Sequence, residues 1–250
     1  MKKAWQKIRS IFLASIILLD LVVTGTVVFF IALFSFDFHK PVYDWAWKWA
    51  TRGRKILGIR VKIIGEENLQ RTEPAIYAIS HQSMCEVLIY PTFLPKTIRF
   101  LGKKSLKWVP IFGILWMASK QISVDRRHHE RAMQAMATAR KRIEEGYSLF
   151  MAPEGTRSPT GRLGKLKKGI YHLALQTKIP IIPITTVNSY KIQPKHSFTI
   201  TPGEALIIVD PPIDTTQWKE GEVEERIESL RKVYQSNLNK YGDPEQYAPL

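Results

Sequence analysis

The sequence predicts an α/β fold, a mixed sheet flanked by helices, set behind an N-terminal hairpin of apolar helices. Three observations lead there. Beyond residue 57, short apolar runs of strand length alternate with segments of helical periodicity, the pattern of an α/β layer structure. Ahead of that point the composition is different, with one long apolar run followed by a tryptophan-rich basic stretch. The 250 residues suffice for one sizeable core or for one domain plus an anchor. The expected division is therefore 1–57 for membrane-anchoring helices and 58–250 for the α/β domain.

Taken in order, Lys2, Lys3, Lys7 and Arg9 precede an apolar run over 11–36. As a helix rising about 1.5 Å per residue, that run can cross a hydrocarbon core of about 30 Å. It exceeds the apolar core of a secretory signal, and no small-x-small cleavage site follows it. Asp20 lies in its middle and costs about 2.5–3.5 kcal/mol at a bilayer centre, which disfavours a simple lipid-exposed span. Lys40, Lys48, Arg52, Arg54 and Lys55 lie on the far side, so cation counts set no orientation. Trp45, Trp47 and Trp49 among those cations match the composition of the headgroup level. The expectation is a helical hairpin that enters one leaflet and returns; a single span with a soluble linker is the alternative.

Residues 59–64 alternate as a strand, and Gly65-Glu66-Glu67-Asn68 turns it. The run 75–80 reads as a buried strand ending on His81, with a helix beginning at Ser83. Residues 97–101 form another strand, after which Lys103 and Lys104 lead into a turn around Pro110 and Gly113. A strand over 121–124 precedes a helix over 129–145, where Met133, Met136, Ala137, Arg140 and Ile143 have helical spacing and Gly146 supplies a C-cap. Strand 147–151 feeds the turn Pro153-Glu154-Gly155, and a helix over 168–178 follows. Runs 180–187 and 205–209 read as a hairpin turning at Pro202-Gly203. The last helix, 222–241, carries Val223, Ile227, Leu230, Tyr234 and Leu238 on one stripe, and the polar tail from Gly242 is expected to be loosely ordered.

A net charge of +15 calls for an acidic partner. A nucleic-acid face would interleave cations with exposed aromatics, whereas the tryptophans here cluster beside the apolar run, so a membrane surface is expected and nucleic acid is not. Cys85 is the only cysteine, which excludes an intramolecular disulfide and a cysteine-rich zinc site. The six histidines show no His-x-x-x-His spacing, and no metal is implied.

Chemistry concentrates in Ser80-His81-Gln82-Ser83-Met84-Cys85-Glu86 and Ala152-Pro153-Glu154-Gly155-Thr156-Arg157-Ser158. On one continuous helix His81 and Glu86 would sit about 140° apart, so they need the bend of a strand-to-helix junction to meet. There the carboxylate can accept the Nδ1 proton and leave Nε2 free to take a proton from an alcohol. Ser83-x-x-Glu86 equally reads as a capping box, and the two roles can coexist. A buried hydrogen-bonded histidine and a Cys85 that serves packing or acts as nucleophile also stay open. Gly155 permits a turn and close backbone approach, Thr156 adds a hydroxyl, and Arg157 offers a planar fork to phosphate oxygens or merely a solvated cation. Lys103, Lys104, Arg126, Arg162, Lys165, Lys167 and Lys168 can attract an anionic acceptor or be solvated.

With these residues the chain resembles the glycerolipid acyltransferases, specifically the bacterial 1-acyl-sn-glycerol-3-phosphate acyltransferase (lysophosphatidic acid acyltransferase) family, over about residues 58 to 210. Four blocks in order carry the likeness. His81 to Glu86 stands where the family has His-x-x-x-x-Asp, and Lys120-Gln121-Ile122-Ser123-Val124-Asp125-Arg126 is similar to the second block. Ala152 to Ser158 is similar to Phe-Pro-Glu-Gly-Thr-Arg-Ser, and Ile179-Pro180-Ile181-Ile182-Pro183-Ile184 to the fourth. Two departures stand out, Glu86 for Asp and Ala152 for the usual aromatic.

The resemblance implies a two-helix membrane anchor and a catalytic domain facing the cytoplasm at the cell inner membrane. It implies no cofactor, with acyl-ACP or acyl-CoA as co-substrate donor and a membrane lipid as acceptor. In it His81 is the catalytic base, Glu86 orients it, and Arg126, Glu154, Gly155, Thr156 and Arg157, with Lys103 or Lys104, bind the acceptor. The product would be phosphatidic acid for phospholipid biosynthesis, made on the sn-2 hydroxyl of 1-acyl-sn-glycerol 3-phosphate. Another lysophospholipid or an ornithine-type lysolipid is the alternative acceptor.

Overall fold

The computed structural model describes residues 2–70 and 74–243, with side chains from Ala4 onward. Among these residues seven strands form one sheet: β1 Ile59–Ile64, β2 Ile76–Ile79, β3 Ile98–Lys103, β4 Ile122–Val124, β5 Ser148–Met151, β6 Ile181–Val187 and β7 Gly203–Val209. Their spatial order is β1-β7-β6-β2-β5-β3-β4. Only β6 and β7 pair antiparallel, from Ile184 opposite Val209 to Val187 opposite Leu206. All other pairs are parallel, so β6, β2, β5, β3 and β4 run one way and β1 and β7 the other. The expected mixed sheet is thus present. Every residue of β2, β5 and β6 is buried, as strands covered on both faces require.

Helices cover the two faces. On one, Ile76 and Ala78 of β2 and Leu149 and Met151 of β5 meet Ala139 of α4 (His129–Glu144), Ile170 of α5 (Gly169–Thr177), and Leu230 and Tyr234 of α7 (Val223–Tyr241). The alternate residues Tyr77, Ile79 and Phe150 point the other way, as the two-residue strand period demands. They pack with Trp45 and Trp49 of α2 (Lys40–Ile56) and Ile17 and Leu21 of α1 (Lys2–Ser35). A single apolar cluster therefore runs across the expected boundary at residue 57.

The two N-terminal helices pack as a hairpin, and the charge in the middle of the apolar one has a partner. Arg52 of α2 donates from Nε and Nη2 to both oxygens of Asp20 at 2.9–3.1 Å. The stretch Ala4–Ser35 is, among the described residues, the helix long and apolar enough to cross a membrane, and Phe12, Leu19, Val27 and Phe34 on it are exposed. The tryptophans of α2 depart from the headgroup expectation. Trp45 and Trp49 are buried, donating their indole N–H groups to Thr24 Oγ1 and the Ile17 carbonyl; only Trp47 is exposed. Their spacing of four residues places both on the protein-facing side of the helix.

Arg99 of β3 ties the hairpin's turn to the sheet. It is 1% exposed, lies 3.7 Å over the Tyr147 ring, and donates to Tyr43 Oη and His39 Nδ1. A guanidinium has only donors, so His39 must accept, and burial followed by the nearby Arg99, Lys120 and Arg142 charges lowers the imidazole pKa accordingly.

Other departures are local. In place of a helix from Ser83 there are two single 3-10 turns, Cys85–Leu88 and Tyr90–Thr92. Pro91 lacks an N–H and disfavours helical Tyr90, and the Glu86 side chain occupies the N–H groups of Gln82 and Ser83. The expected turn is present at Pro110 and Ile111 but ends before Gly113, which lies in α3, Phe112–Ala118, and lets that helix lie against the Lys107 carbonyl; a Cβ there would sit 2.1 Å from that oxygen. The link between β6 and β7 is not a turn at Pro202-Gly203. It carries the short helix α6, Ser189–Ile192, after Asn188 at φ 67°, and Gly203 opens β7. The tail expected to be loosely ordered lies, from residue 244, outside the described residues.

The Asp20–Arg52 pair is open to a double-mutant cycle of melting in detergent micelles. Arg52→Leu strands a carboxylate on an apolar helix and is expected to destabilise more than Asp20→Leu/Arg52→Leu, with a coupling of about 0.5–1 kcal/mol. Strictly additive losses would show that the pair does not join the helices.

Candidate active site

Sheet direction gathers the candidate residues. Because β6, β2, β5, β3 and β4 are mutually parallel, their carboxyl ends lie along one edge, where α/β sheets present their sites. His81 follows β2 in the middle of this row. The Ala152 to Ser158 loop follows β5 beside it, Lys103 ends β3, Asp125 and Arg126 follow β4, and Ser189 follows β6 on the opposite flank.

His81 and Glu86 meet. The imidazole Nδ1 is hydrogen-bonded to Glu86 Oε2. Since the carboxylate accepts, Nδ1 carries the hydrogen and Nε2 keeps its lone pair, while the His81 side chain remains 26% exposed. Glu86 itself is 1% exposed. Its other oxygen, Oε1, accepts from the N–H groups of Gln82 at 2.9 Å and Ser83 at 3.0 Å and from Ser189 Oγ at 2.7 Å. One carboxylate thus performs half of a capping box and orients the histidine. The Ser83 hydroxyl donates elsewhere, to the Gln193 carbonyl.

The loop after β5 holds the histidine's main chain. The His81 N–H donates to Glu154 Oε1 at 2.9 Å, and the Ser158 N–H donates to the His81 carbonyl at 2.8 Å. Glu154 is buried, and its Oε2 accepts from the Gly164 N–H at 2.8 Å. Burial pushes the Glu154 carboxyl up, against the two backbone donors that favour its charge. With an N–H on each oxygen, it acts on the scaffold beneath the site. Gly155 has φ 71°, a left-handed conformation in which a side chain is strained, so the turn needs glycine for its backbone, while the nearby Lys167 Cε belongs to a flexible side chain that can move aside.

The cations divide into held and free. Lys104 Nζ lies 3.3 Å from Asp125 Oδ2, which Arg131 also contacts. Burial raises the Asp125 carboxyl, but the bonds from Arg131, the Arg127 N–H and Lys104 bring it down to about 2. Lys103, Arg126 and Arg157 have no side-chain partner among the described residues. Thr156 is exposed, with its hydroxyl 3.4 Å from Lys195 Nζ.

Two residues escaped the sequence reading. Lys195 donates to the Arg157 carbonyl at 2.8 Å and braces the loop, and Ser189 binds Glu86. Both lie just beyond the fourth block. Cys85 is 2% exposed, with its thiol pushed up to about 12 by burial and further by Glu86, against hydrogen bonding with Ser83. That is a packing thiol.

An imidazole oriented by a buried carboxylate, on the carboxyl edge of an α/β sheet that also carries unpaired cations, makes a candidate site with the groups needed to activate a hydroxyl and to attract an anion. The chain belongs to the acyltransferase family, whose model it matches over residues 60–187, just over half its length. It is 33% identical over 196 residues to the 1-acyl-sn-glycerol-3-phosphate acyltransferase of Cocos nucifera, covering 78% of this chain and 61% of that protein. The enzyme of the same name from Saccharomyces cerevisiae is 32% identical, covering 75% and 62%; that from Escherichia coli is 28% identical, covering 73% and 74%. The chain thus spans under two thirds of the coconut and yeast relatives. In fold it is similar to the 1-acyl-sn-glycerophosphate acyltransferase PlsC of Thermotoga maritima, with TM-score 0.81, 24% identity, and coverage of 96% of this chain and 97% of that one.

Glu86→Gln should fold and fail. Its amide oxygen still serves Oε1's donors, but its NH₂ faces Nδ1 and forces the hydrogen onto Nε2, so steady-state turnover is expected to fall by on the order of 10²–10⁴. Unchanged turnover would remove Glu86 from the mechanism. For Cys85, a thiol reagent at pH 8 is expected to label the protein only after denaturation, at a rate set by unfolding; rapid labelling of folded protein would reopen the nucleophile.

Proposed function

We propose that this chain moves a fatty acyl group from acyl-ACP or acyl-CoA to the sn-2 hydroxyl of 1-acyl-sn-glycerol 3-phosphate, producing phosphatidic acid for phospholipid biosynthesis. The carrying observation is the His81–Glu86 pair, whose Nε2 is free, with the loop that bears the unpaired Arg157 bonded to the His81 carbonyl through the Ser158 N–H. Nε2 takes the hydroxyl proton as the oxygen attacks the thioester carbonyl, and Glu86 stabilises the imidazolium. Collapse of the tetrahedral adduct breaks the C–S bond, and the imidazolium returns its proton to the departing thiolate. The acyl group passes directly from donor to acceptor, with no acyl-enzyme.

Arg157 offers a planar fork to the acceptor phosphate, with Lys103 freer to help than Lys104, which Asp125 already holds. Arg126 and Thr156 border the same edge. The exposed apolar surface of α1 would hold the protein at a bilayer, the cell inner membrane in a bacterium, with the catalytic domain on the cytoplasmic side where soluble thioesters reach it. Anchoring restricts both substrates to one surface and raises their effective concentration.

The test is a panel of lysolipids offered with one radiolabelled acyl thioester. Lysophosphatidic acid is expected to be acylated at least tenfold faster than lysolipids without a phosphomonoester. His81→Ala should lose the activity, and Arg157→Ala should raise KM for the acceptor most. Preferred acylation of an ornithine-type lysolipid, or wild-type turnover by His81→Ala, would overturn the proposal.

A further inference from the structure

We infer that Ser189 is a positioning residue for the reaction, acting through Glu86 on His81; the inference rests on the proposed role of that histidine as base. Ser189 lies outside all four blocks, 103 residues from Glu86, and is fully buried at 0% exposure. Asn188, at φ 67°, turns the chain sharply off β6 and starts α6 with Ser189 at its first position. A hydroxyl has one hydrogen to give. Glu86 Oε1 is 2.7 Å away, whereas Gln82 Oε1 is 3.5 Å away, so the hydrogen goes to the carboxylate.

The need for this bond follows from the glutamate. Its chain has one more torsion than the aspartate usual in the family resemblance, and a terminal carboxylate torsion has a broad, soft minimum. Gln82 and Ser83 approach Oε1 from the residue's own loop, while Ser189 approaches from β6, on the other side of β2's end. Three donors from two separate pieces of chain fix Oε1, and Oε2 is left aimed at Nδ1. Removing the hydroxyl also concentrates negative charge on the carboxylate, which strengthens its hold on the protonated imidazole and keeps the base occupied to higher pH.

The experiment measures kcat, KM and the pH–rate profile for Ser189→Ala and Ser189→Thr, each with and without Glu86→Asp. Ser189→Ala is expected to lower kcat about tenfold, hold both KM values within about twofold, and move the acid limb of the profile to higher pH. Ser189→Thr, which keeps the hydroxyl, should restore the limb and most of the rate. In Glu86→Asp, whose shorter arm withdraws from Ser189, Ser189→Ala should cost less than about twofold. If Ser189→Ala does not fold, Ser189→Cys fills the same space with a poor donor and should show the same limb shift.

A wild-type profile in Ser189→Ala, or the same loss of rate in both backgrounds with the limb unmoved, would overturn the inference. Assays use whichever lysolipid the panel shows to be acylated. A different acceptor therefore overturns the proposed substrate alone, while full activity in His81→Ala overturns both.

Discussion

A carboxylate with almost no contact with water must have its lone pairs taken by donors, and the surroundings of Glu86 are organised by that requirement. At 1% exposure one imidazole alone would leave most of its lone pairs without a donor. The N–H groups of Gln82 and Ser83 supply two donors only if the chain leaves β2 in an irregular bend instead of a helix. The third donor, Ser189, arrives only because β6 lies beside β2 and runs parallel to it. The bend after His81, the 3-10 turn in place of a helix and the position of α6 are thus parts of one solution to a desolvated charge.

A second buried carboxylate does a different job nearby. Glu154 faces backbone N–H groups on both oxygens, so it fixes where His81 begins while Glu86 fixes how its ring is turned. With Ser158 holding the His81 carbonyl, the loop after β5 clasps the peptide groups of His81, two residues past β2. This clasp exists because β5 and β2 are neighbours in the sheet although some seventy residues apart in the chain. The same crossover brings the main chain next to Arg157 onto the His81 carbonyl. Two motifs that read as separate in sequence are therefore one hydrogen-bonded structure, and a change in either is felt in the other.

Features with local periodicity were legible in the sequence. The alternation at 59–64, the stripe in 222–241 and the spacing in 129–145 each correspond to an element within a residue or two. His81, Glu86 and the Ala152 to Ser158 loop were legible too, because their chemistry is written in adjacent residues. Ser189 and Lys195 were not, since a serine and a lysine after a strand carry no signal until the sheet order makes them neighbours of the site. Composition misled at Trp45 and Trp49. An interfacial belt and a helix face packed on a sheet use the same tryptophans, and only the partner surface separates them. Gly113 misled in the same way, because a glycine chosen for close approach looks like one chosen for a turn.

The hairpin's packing gives the anchor a consequence for the chemistry. Gly53 of α2 lies against Leu88, in the 3-10 turn that carries Glu86, where a Cβ would come within 2.9 Å of a leucine methyl. Trp47 donates its indole N–H to the Thr92 carbonyl in the next turn, and Arg99 secures the end of the hairpin at His39. The apolar helix and the Glu86 carboxylate are therefore linked through packed side chains and hydrogen bonds rather than through a flexible tether. Under the proposed function, a base on a tether would search a volume for its lipid. A base fixed relative to α1 instead meets the acceptor at a set depth, and the free cations along the sheet edge have only to hold the headgroup there.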